Sequence, residues 1–131
     1  MIEPKGSGMS LMLELFVDDL AVSRDFYQRV LDFTIESQEA NGYTAMGNGT
    51  ARIALNHRTV KKIHPSDGPA DQRPGRGVEI VLEVDDVRAV HARVQAAGWP
   101  LISPLTTQKW GQTDFRVADP DGYRLRLTSR G

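Results

Sequence analysis

The sequence predicts an α+β fold made of two successive strand–helix–three-strand modules, and three observations carry that prediction. First, Val17-Asp18-Asp19-Leu20 is echoed 67 residues later by Val84-Asp85-Asp86-Val87, each time between an apolar run and a helical pattern. Second, the chain closes on WGQTDFRVADPDGYRLRL, Trp110 to Leu127, in which apolar and charged residues alternate on both sides of Asp119-Pro120-Asp121-Gly122. A period of two around such a turn predicts a β-hairpin, with Pro120 presetting φ and Gly122 free to take φ > 0. Third, RTVKKIHPSDGPADQRPGRG, residues 58–77, interrupts the rhythm between the two halves. An order of elements that stops and restarts is the mark of an internal repeat.

In chain order, MIEPKGSGMS is polar and Gly/Ser-rich, and residues 1–10 are expected to form a flexible tail. The first module takes residues 11–57. Leu11 to Val17 suits a strand, with Leu13, Leu15 and Val17 on one face and Met12, Glu14 and Phe16 on the other. Asp18-Asp19 offers capping oxygens and negative charge to a helix start. Leu20 to Leu31 then reads as an amphipathic helix, since Val22, Phe26 and Val30 recur every four residues. Phe33 to Glu36, Tyr43 to Met46 and Ala51 to Asn56 are the three following strands, turned by Asn41-Gly42 and Gly47-Asn48-Gly49. Residues 58–77 form the inter-module loop, long enough to be a joint or a lid.

The second module takes residues 78–129. Gly77 to Val84 is a strand whose Val78, Ile80, Leu82 and Val84 share one face. Asp85-Asp86 caps a helix from Val87 to Ala97, and Gly98 ends it. A short strand begins at Pro100 to Ile102, and the closing hairpin supplies the last two.

Composition bounds the function. A chain of 131 residues suffices for one domain with a real core. With 40% hydrophobic and 25% charged residues it has the balance of a soluble globular protein. A net charge of -1 gives no reason to expect nucleic acid or an anionic membrane as partner. No apolar run approaches the length of a membrane span. Without cysteine there is no disulfide, thiolate metal site or cysteine nucleophile, which suits a cytoplasmic protein. No nucleophile motif or phosphate-cradling loop appears: Gly75 and Gly77 precede a strand, not a helix.

A strand ending in Val-Asp-Asp-Leu, a helix carrying Phe26-Tyr27, and the closing Trp-Gly…Phe-x-Val-x-Asp-Pro-Asp-Gly-x-x-Leu-x-Leu together resemble the vicinal oxygen chelate superfamily. That superfamily includes glyoxalase I, extradiol dioxygenases, fosfomycin-resistance enzymes and bleomycin-binding resistance proteins. The resemblance runs from Leu11 to Thr128. It implies two βαβββ modules whose mixed sheets curl around a cavity, helices outside, in a chain that pairs as a homodimer. It also implies that metal-dependent members would place their ligands at the positions of Met12, Ala54, Glu79 and Arg126. A divalent ion needs three or four oxygen or nitrogen donors converging at about 2.0–2.6 Å. Here Ala54 offers none, Met12 only a thioether, and Arg126 a fixed positive charge. The resemblance therefore implies a lost metal site, with Glu79 and Arg126 expected to form an ion pair instead.

The expected ligand contacts follow from the inward faces. The first module contributes Met12, Glu14, Phe16, Tyr43, Arg52 and Asn56. The second contributes Glu79, Trp110, Asp114, Arg116 and Arg126. Glu83 and Arg124 share the inward face, and the balance of carboxylates and arginines favours mutual compensation over acid/base chemistry. Trp99 is expected to pack between helix and sheet. His57, His64 and His91 match no ligand position, although the long connection can carry His64 over the cavity mouth. No catalytic residue, metal or cofactor is assigned. Two functions remain open: sequestration of a bulky aromatic small molecule, as in the bleomycin-resistance branch, or lyase, isomerase or dioxygenase chemistry on a carbonyl or aromatic compound.

Overall fold

The computed structural model describes residues 8–60 and 74–130. Strand β1 (Leu13–Val17) leads into helix α1 (Leu20–Asp25), then β2 (Thr34–Gln38), β3 (Thr44–Asn48) and β4 (Ala51–His57). The second repeat runs β5 (Glu79–Val84), α2 (Val87–Ala96), β6 (Ser103–Thr107), β7 (Thr113–Ala118) and β8 (Arg124–Ser129). The repeats give two four-stranded sheets with matching order, β1-β4-β3-β2 and β5-β8-β7-β6. In each, the first and last strands of the repeat pair in parallel and the other neighbours are antiparallel. This is the α+β architecture that the pattern predicts. His64 and most of the inter-module loop lie outside the described residues.

Both helices start as the paired aspartates dictate. Asp19 Oδ1 accepts the Val22 amide at 3.1 Å, and Asp86 Oδ1 accepts that of Ala89 at 3.0 Å. The first helix departs from expectation after Asp25. Phe26–Val30 is π-helical, with the Leu31 amide reaching back to Phe26 O and that of Phe33 to Tyr27 O. The adjacent pairs Phe26/Tyr27 and Val30/Leu31 all enter the core from this stretch. Asp32 then turns the chain at φ 62°, a left-handed conformation that aspartate tolerates better than most residues.

One hydrophobic core serves both repeats. Leu15, Val17, Ile53 and Leu55 from the first sheet join Ile80, Phe115, Val117, Leu125 and Leu127 from the second, with Phe26, Tyr27 and Val94 from the helices. Trp99 packs as expected, its ring 4.7 Å from that of Phe26 and its Nε1 donating to Ala118 O at 2.8 Å.

The Asp119–Gly122 turn is the junction between repeats. Gly122 adopts φ 94°, and its amide bonds Asp119 O at 2.9 Å. Asp119 Oδ1 accepts the amides of Asp121 and Tyr123, while its Oδ2 accepts the buried Tyr27 hydroxyl at 2.8 Å. Asp121 accepts the Asp18 amide and the Ser23 hydroxyl. Tyr123 donates its hydroxyl to Phe16 O at 2.9 Å, at the end of β1. On the other side of α1, Arg93 donates to the backbone oxygens of Arg29 and Gln28.

Candidate functional site

Each sheet has one side covered by helix and one left open. On β1 and β4 the register pairs Glu14 with Ala54 and Phe16 with Asn56, so these residues share the open side with Met12 and Arg52. Ala45 and Gly47 continue it on β3. On the second sheet, Glu79, Val81 and Glu83 of β5 share the open side with Arg124, Arg126 and Thr128 of β8 and with Asp114 and Arg116 of β7. Glu14, Arg52, Glu79 and Arg124 are exposed, as half-covered sheets require.

The two open sides carry separate polar networks. On the second sheet, Arg116 Nε bonds Glu79 Oε1 at 2.5 Å, and this bond to a carboxylate raises the arginine's pKa above its usual value. Arg126 bridges two acids: its Nε lies 3.5 Å from Glu79 Oε2 and its Nη1 3.4 Å from Asp114 Oδ2. The Nε contact is electrostatic only, for that buried N–H makes no hydrogen bond. Gln108 Nε2 donates to the other oxygen of the buried Asp114 at 2.8 Å. On the first sheet, Asn56 Nδ2 donates to Glu14 Oε2 at 3.3 Å, and Arg52 pairs with Glu36 at 3.7 Å. The ion pair expected between Arg126 and Glu79 is thus present, inside a larger network.

Trp110 stands apart on the β6–β7 loop, 65% exposed, its Nε1 held by Gln112 Oε1 at 3.1 Å. Of the histidines, His57 bonds Thr59 Oγ1, and the His91 ring packs edge-on to Phe115. Gln108 and Glu36 went unanticipated. Gln108 faces Asp114 across the hairpin mouth, which its register would have revealed. Glu36 lies on the open side by alternation with the core-facing Ile35, just before the register shifts at Ser37.

These geometries test the donor set against a divalent ion. Met12, Ala54, Glu79 and Arg126 offer one carboxylate, and two guanidinium groups already engage it. Among the described residues no three His, Cys, Asp or Glu converge as a metal site. The residues do not fit the ion. Arg126→Met is expected to cost about 1–2 kcal/mol in urea unfolding, because the pair is part-exposed yet buried Asp114 loses its cation. A Kd for ligand that moves more than the stability does would assign Arg126 to recognition instead.

A cleft of about 810 Å³ opens elsewhere, between the helix-covered sides, walled by Leu13, Phe33, Ile53, Ile80, Leu82 and Val90. Of the expected contacts only Arg52 lines it; Glu83, Asp85, Asp86 and Arg130 also reach it, with Arg130 and Asp85 paired at 2.7 Å. Among the described residues no helix is long and apolar enough to cross a membrane.

Known proteins show the same architecture. Mb0911c, an uncharacterized protein of Mycobacterium bovis, is 29% identical over 124 residues, covering 90% of this chain and 81% of that protein. The crystal structure of TioX from Micromonospora sp. ML1 matches with a TM-score of 0.77 at 23% identity, over 93% of this chain and 98% of TioX. TnmS3, an antibiotic binding protein from Streptomyces sp. CB03234, matches with a TM-score of 0.70 at 20% identity, over 98% of this chain and all of TnmS3 (100%). Such structural likeness establishes the fold and leaves function to the site. The family model of the Glyoxalase/Bleomycin resistance protein/Dioxygenase superfamily matches residues 10–127, so the chain belongs to that superfamily.

Proposed function

We propose that this protein binds a bulky aromatic small molecule on its open sheet faces without a metal, and holds it rather than transforming it. One observation carries the reading: the positions implied for metal ligands hold Met12, Ala54, Glu79 and Arg126, and their single carboxylate is already neutralised by Arg116 and Arg126. What remains is a wall of thioether and aromatic ring beside charges that, around Glu79 and Asp114, compensate one another, suited to gripping a ligand. The antibiotic-binding TnmS3, with the same fold, supports this reading by analogy.

The two faces work as halves of one cavity in a homodimer. Each polar network stays within its own sheet, and the chain spends its module–module contacts on the helix side. A second subunit supplies the opposing face. Sedimentation is expected to give a dimer whose ligand stoichiometry is one per subunit.

Tryptophan-fluorescence titration against a panel of planar natural products tests the function. Quenching by at least one is expected, lost in Trp110→Phe and unchanged after dialysis against a chelator. A protein that quenches with none of them, yet turns over a carbonyl substrate in a chelator-sensitive way, would overturn the proposal.

A further inference from the structure

Charges on the open side of the first sheet do not cancel, since Glu14 and Glu36 stand there against Arg52 alone. Gly47 leaves room on β3 for the Glu36 carboxylate, whose Oε2 a Cβ there would meet at 2.6 Å. Lying there, Glu36 pairs with Arg52 at 3.7 Å. Arg52 precedes Ala54 by two residues on the same side of β4, and Ala54 is the register partner of Glu14. The one arginine on this side is thereby drawn toward β2 and away from Glu14.

Glu14 is left with an amide for a neighbour and no cation among the described residues. Asn56 Nδ2 holds one carboxylate oxygen, while Asn56 Oδ1 is fixed by the His57 amide at 2.9 Å. Beside the carboxylate, over the buried Ala54 and Ala45, the half-buried Phe16 and the exposed Met12 of the first strand offer the accessible apolar surface. The second sheet differs, since Glu79 and Asp114 there are both met by arginine.

We propose that Glu14 selects the charge of the ligand: the guest held on this face carries a protonated nitrogen on a flat apolar body. The nitrogen bonds the free side of the Glu14 carboxylate, a charge-assisted contact. The apolar body lies against Met12 and Phe16, and the Phe16 ring adds cation–π attraction. This inference rests on the binding function proposed above and adds the ligand's class to it.

Two fluorescent tricycles of like shape make the test, with anisotropy of the probe as readout: proflavine, cationic at neutral pH, and acridone, which is neutral. Wild-type protein is expected to prefer proflavine, and Glu14→Gln to weaken proflavine about tenfold while acridone changes less than about twofold. Glu14 is exposed, so the variant folds. Glu36→Gln, which frees Arg52 to turn toward Glu14, is expected to weaken proflavine as well. Equal affinity for the two probes, or a preference that survives Glu14→Gln, overturns the amine assignment alone. If neither probe binds, the binding function falls, and this inference with it.

Discussion

Tyr27→Ala is expected to destabilise the protein by about 4–5 kcal/mol, enough to leave a domain of this size marginal. The side chain is fully buried, and its ring meets Phe26 edge-on at 4.9 Å and Phe33 at 5.7 Å. Removing it opens a cavity and strips Asp119 of a hydrogen-bond donor at the same time. Tyr27→Phe separates the two losses. It keeps the ring and removes only the hydroxyl, for an expected cost of about 1.5–3 kcal/mol at neutral pH, the range for a bond to a charged acceptor. Urea unfolding of the two variants measures both terms. A Tyr27→Phe protein as stable as wild type would mean that the hydroxyl does not tie the repeats together.

The sequence revealed the members of this junction but not that they meet. Alternation and turn chemistry placed Asp119-Pro120-Asp121-Gly122 between β7 and β8, because both are local properties. The partners of those aspartates lie 92 and 98 residues away, on the helix of the other repeat, and no local period encodes such a distance. The π-helical stretch escaped for a related reason. Its backbone serves the packing of Phe26 and Tyr27 against Trp99 and Asp119, which only tertiary structure defines.

Legibility of the candidate faces follows the same division. Strand alternation assigned Glu14 and Phe16, Asp114 and Arg116, Glu79 and Arg126 to their sides, since a residue's side in a regular strand is fixed by parity. Parity puts Glu36 on the open side too, but does not give its reach across β3 to Arg52. Nor could alternation weigh the arginines against the acids. That required distances, which show Arg126 shared between Glu79 and Asp114.

Acidification from pH 7 to pH 5 is expected to stabilise the fold, by about 1 kcal/mol from Asp119 alone. Burial pushes the Asp119 carboxyl up from 3.8 to about 6, against the lowering effect of its bonds from Tyr27, Tyr123 and Asp121. A carboxyl whose pKa is higher folded than unfolded keeps its proton in the native state over a range where the unfolded chain has lost it. Its contribution is therefore complete below pH 3.8 and disappears as pH rises through about 6. The full span corresponds to about 3 kcal/mol. The neighbouring Asp121 is raised by burial as well and acts in the same direction, opposed by the Asp18 amide, the Ser23 hydroxyl and the charge of Arg58. Urea midpoints measured across this range should rise toward acid in wild type and rise less in Asp119→Asn, which keeps the acceptor oxygen and loses the titration. In Tyr27→Phe the rise should be steeper, because the lost donor was holding the carboxyl pKa down. The deficit of that variant relative to wild type should therefore shrink as the pH falls. A slope identical in all three proteins would place the titrating group elsewhere than in this junction.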